Sequence, residues 1–356
     1  QRSLVGSEMC IRDRATYFNP KIVVIDETTT ALSQEGREEL YKHMERIRKS
    51  GNTVIFISHD LPEIIEKSDT ITILRDGVYI DTVKSKDVNE NDLKKLMVGR
   101  EVTGDYYRSD YGEKISDEVV LSAKHVTVPG LIEDVSFDLH KGEILGFGGL
   151  SESGMHEIGK AIFGASYDRE GTVELADGTQ INDIPTAIKH SIAYTSKDRD
   201  NESVVLNQSI GDNICLPSLD ELSGPAHLIS DKKKKDFANK FAKQMSVKMV
   251  DVNQFVSNLS GGNKQKVVLA RWIGKDSDIV VLDSPTRGID IKVKQDIYQL
   301  MNQMRKNGKS IIMISEELME LIGMCDRIMI MKDGKISGEL ERDQNLDENG
   351  LITMMV

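Results

Sequence analysis

Leu259-Ser260-Gly261-Gly262-Asn263-Lys264-Gln265-Lys266 opens a helix-like run that reaches Ile273, and the apolar strand Ile279-Val280-Val281-Leu282, ending in Asp283, follows it. Small residues ahead of a helix amino-terminus leave backbone N–H groups and the positive end of the helix dipole open to an anion. The Ser260 hydroxyl adds a donor. A glycine cap would explain the short piece alone, but not the whole run with Asp283 closing the next strand. The pattern predicts that Ser260, Gly261, Gly262 and Gln265 recognise an anionic group such as a nucleotide phosphate.

Working outward, the strand at Ile279 is the second copy of a repeat. Residues Lys21 to Ile80 match Asp278 to Ser337 without a gap. In the first copy Ile22-Val23-Val24-Ile25 ends in Asp26-Glu27, and in the second Ile279-Val280-Val281-Leu282 ends in Asp283-Ser284. Short β-branched runs of this kind suit strands buried on both faces of a parallel sheet. Each copy continues with a helical stretch (Gly36 to Lys49, Val293 to Lys306), a glycine stop and a further apolar strand (Thr53 to Ile57, Ser310 to Ile314). That is βαβ alternation. Asp76-Gly77 and Asp333-Gly334 then predict tight hairpins.

The second copy is preceded by Gly149-Leu150-Ser151-Glu152-Ser153-Gly154-Met155-His156, between a strand-like and a helix-like run. A phosphate-binding loop needs glycines that let backbone N–H groups close on the phosphates, a Lys for the outer phosphates and a Ser or Thr hydroxyl for Mg²⁺. Here the frame of Gly149, Ser151, Glu152, Ser153 and Gly154 is present, but Met155 and His156 replace the Lys and the hydroxyl. Charge neutralisation and metal coordination are both missing, so the loop reads as degenerate. The first copy keeps what hydrolysis requires: Asp26 can hold Mg²⁺ through water, and Glu27 can orient or deprotonate the attacking water. His59 is placed to contact a terminal phosphate, and its counterpart is Glu316. In the second copy Ser284 replaces the Glu, Asp283 remains as the metal-side carboxylate of the degenerate site, and a carboxylate at Glu316 is expected to repel a triphosphate.

The chain has 356 residues, a net charge of −12, 39% apolar and 29% charged residues, as expected of a globular protein with two cores. The acidic balance argues against nucleic acid as a partner, because such binding concentrates Lys and Arg. The one dense basic cluster, Lys232 to Lys235, reads as a solvated helix face. No stretch is apolar enough to cross a bilayer, so a membrane role requires a partner. Three widely spaced cysteines show no metal-ligand pattern. Residues 1–14 show neither helical nor strand periodicity and resemble a translated sequencing adapter; residues 15–100 read as the carboxy-terminal half of a first domain. Residues 101–118 read as a linker and 119–356 as a complete second domain.

Together these motifs resemble ABC ATPases, and more narrowly the tandem-domain ATP-binding subunits of bacterial carbohydrate importers of the ribose and galactose type. The narrow markers are Leu259 to Lys266, Pro285-Thr286-Arg287-Gly288-Ile289-Asp290, Gly142-Glu143-Ile144-Leu145-Gly146, and Met97-Val98-Gly99-Arg100-Glu101. The resemblance implies an α/β fold of P-loop NTPase-like domains, one partial and one complete here, each with a mostly parallel core sheet. It implies ATP and Mg²⁺ as cofactors, and two composite nucleotide sites. Glu27 and His59 (catalytic) and Asp26 would share the competent site with Ser260, Gly261 and Gly262, whereas Met155, His156, Ser284 and Glu316 would line a poorly hydrolysing one. Lys197 stands where the family usually carries Gln or Glu. Expected partners are transmembrane permease subunits and, indirectly, a periplasmic or lipid-anchored sugar-binding protein; the expected location is the cytoplasmic face of the plasma membrane. A nucleoside importer and a soluble tandem ABC protein acting on ribosomes are the alternative readings. The first domain's phosphate loop, Q-loop and signature are absent from the sequence, which predicts negligible ATPase activity for this chain alone.

Overall fold

The computed structural model describes residues 20–26, 34–58, 60–75, 78–98, 106–110, 114–224, 228–289, 291–343 and 346–355, which form two compact units divided between residues 104 and 105. Glu27, His59, Asp290 and the adapter-like residues 1–14 lie outside the described residues.

In the first unit β1 (Ile22–Asp26) pairs in parallel with β2 (Thr53–Ile57), joined through α1 (Gln34–Lys49). The helix α2 (Leu61–Lys67) then leads into the antiparallel pair β3 (Thr70–Arg75) and β4 (Val78–Lys84). Val23 and Ile25 point to one face of β1 and make a small core with Leu40 and Met44 of α1. Ile22, Val24, Ile55 and Ile57, on the opposite face, stay exposed; Val24 is 60% accessible.

The second unit is built on a six-stranded sheet. Its strands are β7 (Ile144–Gly149), β9 (Ile192–Thr195), β10 (Ile279–Asp283), β11 (Ser310–Ile314), β12 (Arg327–Lys332) and β13 (Lys335–Glu341), in the order β13-β12-β7-β11-β10-β9. All neighbours run parallel except β12 and β13, which close at Asp333-Gly334 with positive φ at both residues. This is the hairpin turn that Asp-Gly favours. A second sheet, β6-β5-β8, is antiparallel (β5 Val119–Val128, β6 Ile132–His140, β8 Glu170–Leu175).

The helix α3 (Met155–Ile162) leaves the carboxyl end of β7 and crosses β10 and β11. Gly159 permits the approach: a Cβ there would lie 2.9 Å from Ile314 Cδ1 and 3.4 Å from Val281 Cγ1. Consequently Ile279, Val281, Ile312 and Ile314 are buried, whereas Ile22, Val24, Ile55 and Ile57, their counterparts in the repeat, are open. Identical strand chemistry thus meets two environments, and covering one face removes about 1.5–3 kcal/mol of exposure cost per large aliphatic residue.

Between β9 and β10 lies a helical region containing α4 (Ile210–Cys215), α5 (Asp231–Gln244) and α6 (Gly261–Lys275). Lys232, Lys233 and Lys235 are exposed on α5, as expected for a solvated face, while Lys234 pairs with Asp212. Arg271 on α6 is buried and donates to the backbone carbonyls of Asn213 (2.7 Å) and Ser203 (2.6 Å). Burial lowers its pKa to about 10. Three backbone and side-chain acceptors therefore stand in for a carboxylate and lock α6 to the start of the helical region. The helices α7 (Ile291–Lys306) and α8 (Leu318–Met324) complete the second repeat copy.

Residues 106–110 fall within the stretch read as a linker, yet they pack on the second unit. Tyr106 and Tyr107 stand 5.4 and 5.3 Å from the Tyr298 ring. The Arg108 guanidinium is buried between Asp110 and Asp326. Cys215 and Cys325 are buried free thiols, and burial pushes the Cys215 thiol up to about 11.

Candidate nucleotide site

Parallel strands deliver their carboxyl ends to one edge of a sheet, and that edge is where α/β folds bind ligands. Here β7, β9, β10 and β11 bring the 149–156 loop, Lys197, Asp283 and Glu316 together beside a cavity of about 670 Å³. His156, Lys197, Gln265, Asp283, Ser284 and Arg287 are among its lining residues.

Gly154 adopts φ +90°, and a Cβ there would collide with Leu131 O at 2.6 Å. Only glycine fits this turn, which aims the first N–H groups of α3 into the loop. Gly149 is similarly confined, with Ser153 Oγ 2.3 Å from a built Cβ. The Ser153 hydroxyl is buried without a hydrogen-bond partner, whereas Ser151 and Glu152 are exposed. Met155 is fully buried in the core and offers the loop only its backbone. The residue expected to line a nucleotide therefore serves packing instead, because an unbranched thioether has no reason to leave an apolar neighbourhood.

His156 is the centre of a closed charge cluster. Its Nδ1 lies 2.7 Å from Asp283 Oδ1, and its Nε2 lies 3.3 Å from Glu316 Oε1 and 3.0 Å from Lys197 Nζ. Lys197 Nζ donates to Glu316 Oε1 at 2.6 Å, and Ser151 Oγ donates to the same oxygen at 2.9 Å. Burial disfavours the His156 imidazolium, but hydrogen bonds to Asp283 and Glu316 more than offset it and raise its pKa to about 9. The bond from His156, with Lys197 and Ser151 adding to it against burial, holds the Glu316 carboxyl well below the usual range. Two cations face two carboxylates, so the Glu316 charge is paired within the cluster by Lys197 and His156. Sequence reading assigned neither pairing; the replacement of His59 by Glu316 and the unusual Lys197 were its two available signals.

A divalent cation does not fit this arrangement. Mg²⁺ requires oxygen ligands in octahedral geometry, but the hydroxyl position is an imidazole, and that imidazole holds one of the two Asp283 oxygens. Among the described residues no group of three or more His, Cys, Asp or Glu side chains could hold a metal.

The cluster carries a pH dependence with a definite sign. A His whose folded pKa lies above its ordinary 6.5 contributes stability in full below pH 6.5 and loses it as the pH rises through about 9. Denaturant titrations at pH 6, 8 and 10 should show stability falling across that window, with the fall reduced in His156→Gln. An unchanged pH profile in the variant would refute the assignment.

The Ser260–Gly262 motif lies at the amino-terminus of α6. Ser260 is exposed and occupies the cap position, but its side chain makes no capping hydrogen bond. It accepts from Asn263 Nδ2 at 3.0 Å instead, which leaves its O–H free to point outward. Gly261 is half-buried, and a Cβ there would lie 3.2 Å from Arg199 Nη2. Gln265, one turn on, is buried and faces the cavity of its own unit, apart from the exposed Ser260. Asp26 ends β1 in the first unit and is exposed.

A parallel sheet with a glycine-framed loop at its carboxyl edge, an inserted helical region and a Ser-Gly-Gly helix start defines an ATP-binding-cassette ATPase domain. A sequence model of the ABC transporter family matches residues 132–287. Among solved structures, a dimeric bacterial ABC transporter cassette aligns with TM-score 0.55 and 22% identity over 63% of this chain and 99% of its own. A nucleotide-free ATP-binding cassette from an ABC transporter aligns with TM-score 0.56 and 18% identity over 67% and 99%. The ribose import ATP-binding protein of Lactococcus lactis subsp. lactis is 40% identical over 347 residues, 97% of this chain and 70% of that protein. The xylose import ATP-binding protein of Thermoanaerobacter pseudethanolicus is 43% identical over 343 residues, 93% of this chain and 67% of that protein. The chain belongs to this family of ABC-type sugar-import ATP-binding proteins.

Proposed function

We propose that this chain is the energy-coupling part of an ABC importer for a simple sugar of the ribose or xylose kind. One observation carries the division of labour: the second unit keeps an open signature at Ser260–Gly262 but a closed phosphate loop at His156. Hydrolysis then belongs to the carboxylates of the first repeat copy. Asp26 would hold Mg²⁺ through water, Glu27 would orient the attacking water and His59 would contact the terminal phosphate, while Ser260 with the Gly261 and Gly262 N–H groups would bind nucleotide phosphate. When bound, the Mg²⁺ supplies charge neutralisation of the outer phosphates. The Asp283 site binds without hydrolysing, since Ser284 offers no base and Asp283 is committed to His156.

No helix among the described residues is long and apolar enough to cross a membrane. By analogy with the similar import ATP-binding proteins, transport proceeds through transmembrane permease subunits, with this protein peripheral on the cytoplasmic face of the membrane and a sugar-binding protein engaged indirectly. The names of the similar proteins support a sugar over a nucleoside cargo. Reconstitution with the permease in proteoliposomes tests the reading: labelled ribose or xylose should accumulate only with ATP and Mg²⁺. Uptake of a nucleoside and of neither sugar would refute it.

A further inference from the structure

We propose that the Gly149–His156 loop is a metal-independent site for a nucleoside diphosphate, in which the Glu316 carboxylate occupies the place of a third phosphate. The inference rests on the reading of this chain as an ATP-binding subunit, and it concerns the site that does not hydrolyse.

The outer end of the loop already holds an anion. Glu316 Oε1 takes Ser151 Oγ at 2.9 Å, Lys197 Nζ at 2.6 Å and His156 Nε2 at 3.3 Å, one hydroxyl and two cationic groups of the sort that hold a terminal phosphate. A triphosphate would have to displace this paired carboxylate or lie against it, and like charges at contact in a partly buried site repel. The inner end keeps unspent donors. Backbone N–H groups at the start of α3 face the loop, the Ser153 hydroxyl is buried and unpartnered, and the turn at Gly154 admits no side chain. Two phosphates fit the unspent donors, and the third meets Glu316. Metal is disfavoured separately, because an imidazole replaces the hydroxyl ligand and His156 Nδ1 takes Asp283 Oδ1 at 2.7 Å. The cations a metal would provide are built in as Lys197 and His156, with Arg287 in the cavity wall.

The test is equilibrium binding of labelled ADP and ATP to the protein in EDTA and in Mg²⁺. ADP should bind equally in both media, within about twofold, and at least about tenfold more tightly than ATP, the effect of a modest like-charge repulsion. Glu316→Gln should move the ADP-to-ATP affinity ratio at least about tenfold toward ATP, and Gly154→Val, checked for folding by thermal melting, should remove the EDTA-resistant binding. Should the variants fail to fold, competition on the unaltered protein gives the same answer: inorganic pyrophosphate should displace ADP better than tripolyphosphate does. Preference for ATP, dependence on Mg²⁺, or a ratio unmoved by Glu316→Gln overturns the proposal while leaving the import reading standing. Failure of the unaltered protein and Glu316→Gln to bind any nucleotide overturns both the proposal and the reading of the second unit as nucleotide-binding.

Discussion

Gly261→Asp should lower ATP turnover by about 100- to 1000-fold in the transporter, the range seen when a preorganised anion donor is lost, while the protein remains folded. The Ser260 side chain makes no capping bond to its own helix. The first N–H groups of α6 are thus uncapped by Ser260, and with the Ser260 hydroxyl they are the groups proposed to meet a nucleotide phosphate. A carboxylate at Gly261 would take that place and repel phosphate. Stability should survive, because an acidic residue in the first helical turn is favourable and Arg199 Nη2 lies 3.2 Å from the Cβ it would introduce. Steady-state hydrolysis and thermal melting, measured on the same preparation, separate the two effects. Turnover above about a tenth of normal would mean that this helix start does not contact nucleotide.

Arg108→Ala should cost about 3–5 kcal/mol of the second unit's stability, the loss typical of breaking a buried ion pair from one side. Arg108 Nη2 donates to Asp326 Oδ1 at 2.7 Å, Nε to Asp110 Oδ1 at 2.9 Å, and Nη1 to Met324 O at 2.8 Å. Asp326 also accepts from the Ile144 N–H at 2.9 Å, so one carboxylate ties residues 106–110 to the starts of β7 and β12. Removing the guanidinium strands Asp326 in a site where it is only 7% accessible. Arg108→Lys should recover part of the loss, because a point charge cannot span both carboxylates as a planar fork does. Chemical denaturation reads both variants, and a loss below about 1 kcal/mol for Arg108→Ala would show that the pair contributes little net stability.

Residues 106–110 also show where sequence reading stops. The β-branched runs of β10 and β11 and the Asp333-Gly334 turn declare themselves locally, because a strand buried on both faces and a tight hairpin each need particular residues in adjacent positions. Tyr106, Tyr107 and Arg108 have no such period; their partners Tyr298 and Asp326 are remote in sequence and become neighbours only through the fold. The same holds at the site. Gly149 to His156 is legible as a phosphate loop with two wrong residues, but the answer to those residues is distributed. Lys197 follows β9, Asp283 ends β10 and Glu316 follows β11, and the strand order β7-β11-β10-β9 makes them meet. Met155 reads as a missing Lys from its place in the motif, whereas its burial shows a core residue.

We propose that hydrolysis is carried by the Asp26-Glu27 carboxylates and not by Asp283. The most direct measurement is Mg²⁺-dependent ATP hydrolysis by the transporter reconstituted with its permease, comparing Glu27→Gln with Asp283→Asn. Glu27→Gln should lower turnover by at least about 100-fold, the order expected for removing a general base. Turnover that persists in Glu27→Gln and disappears in Asp283→Asn would contradict it.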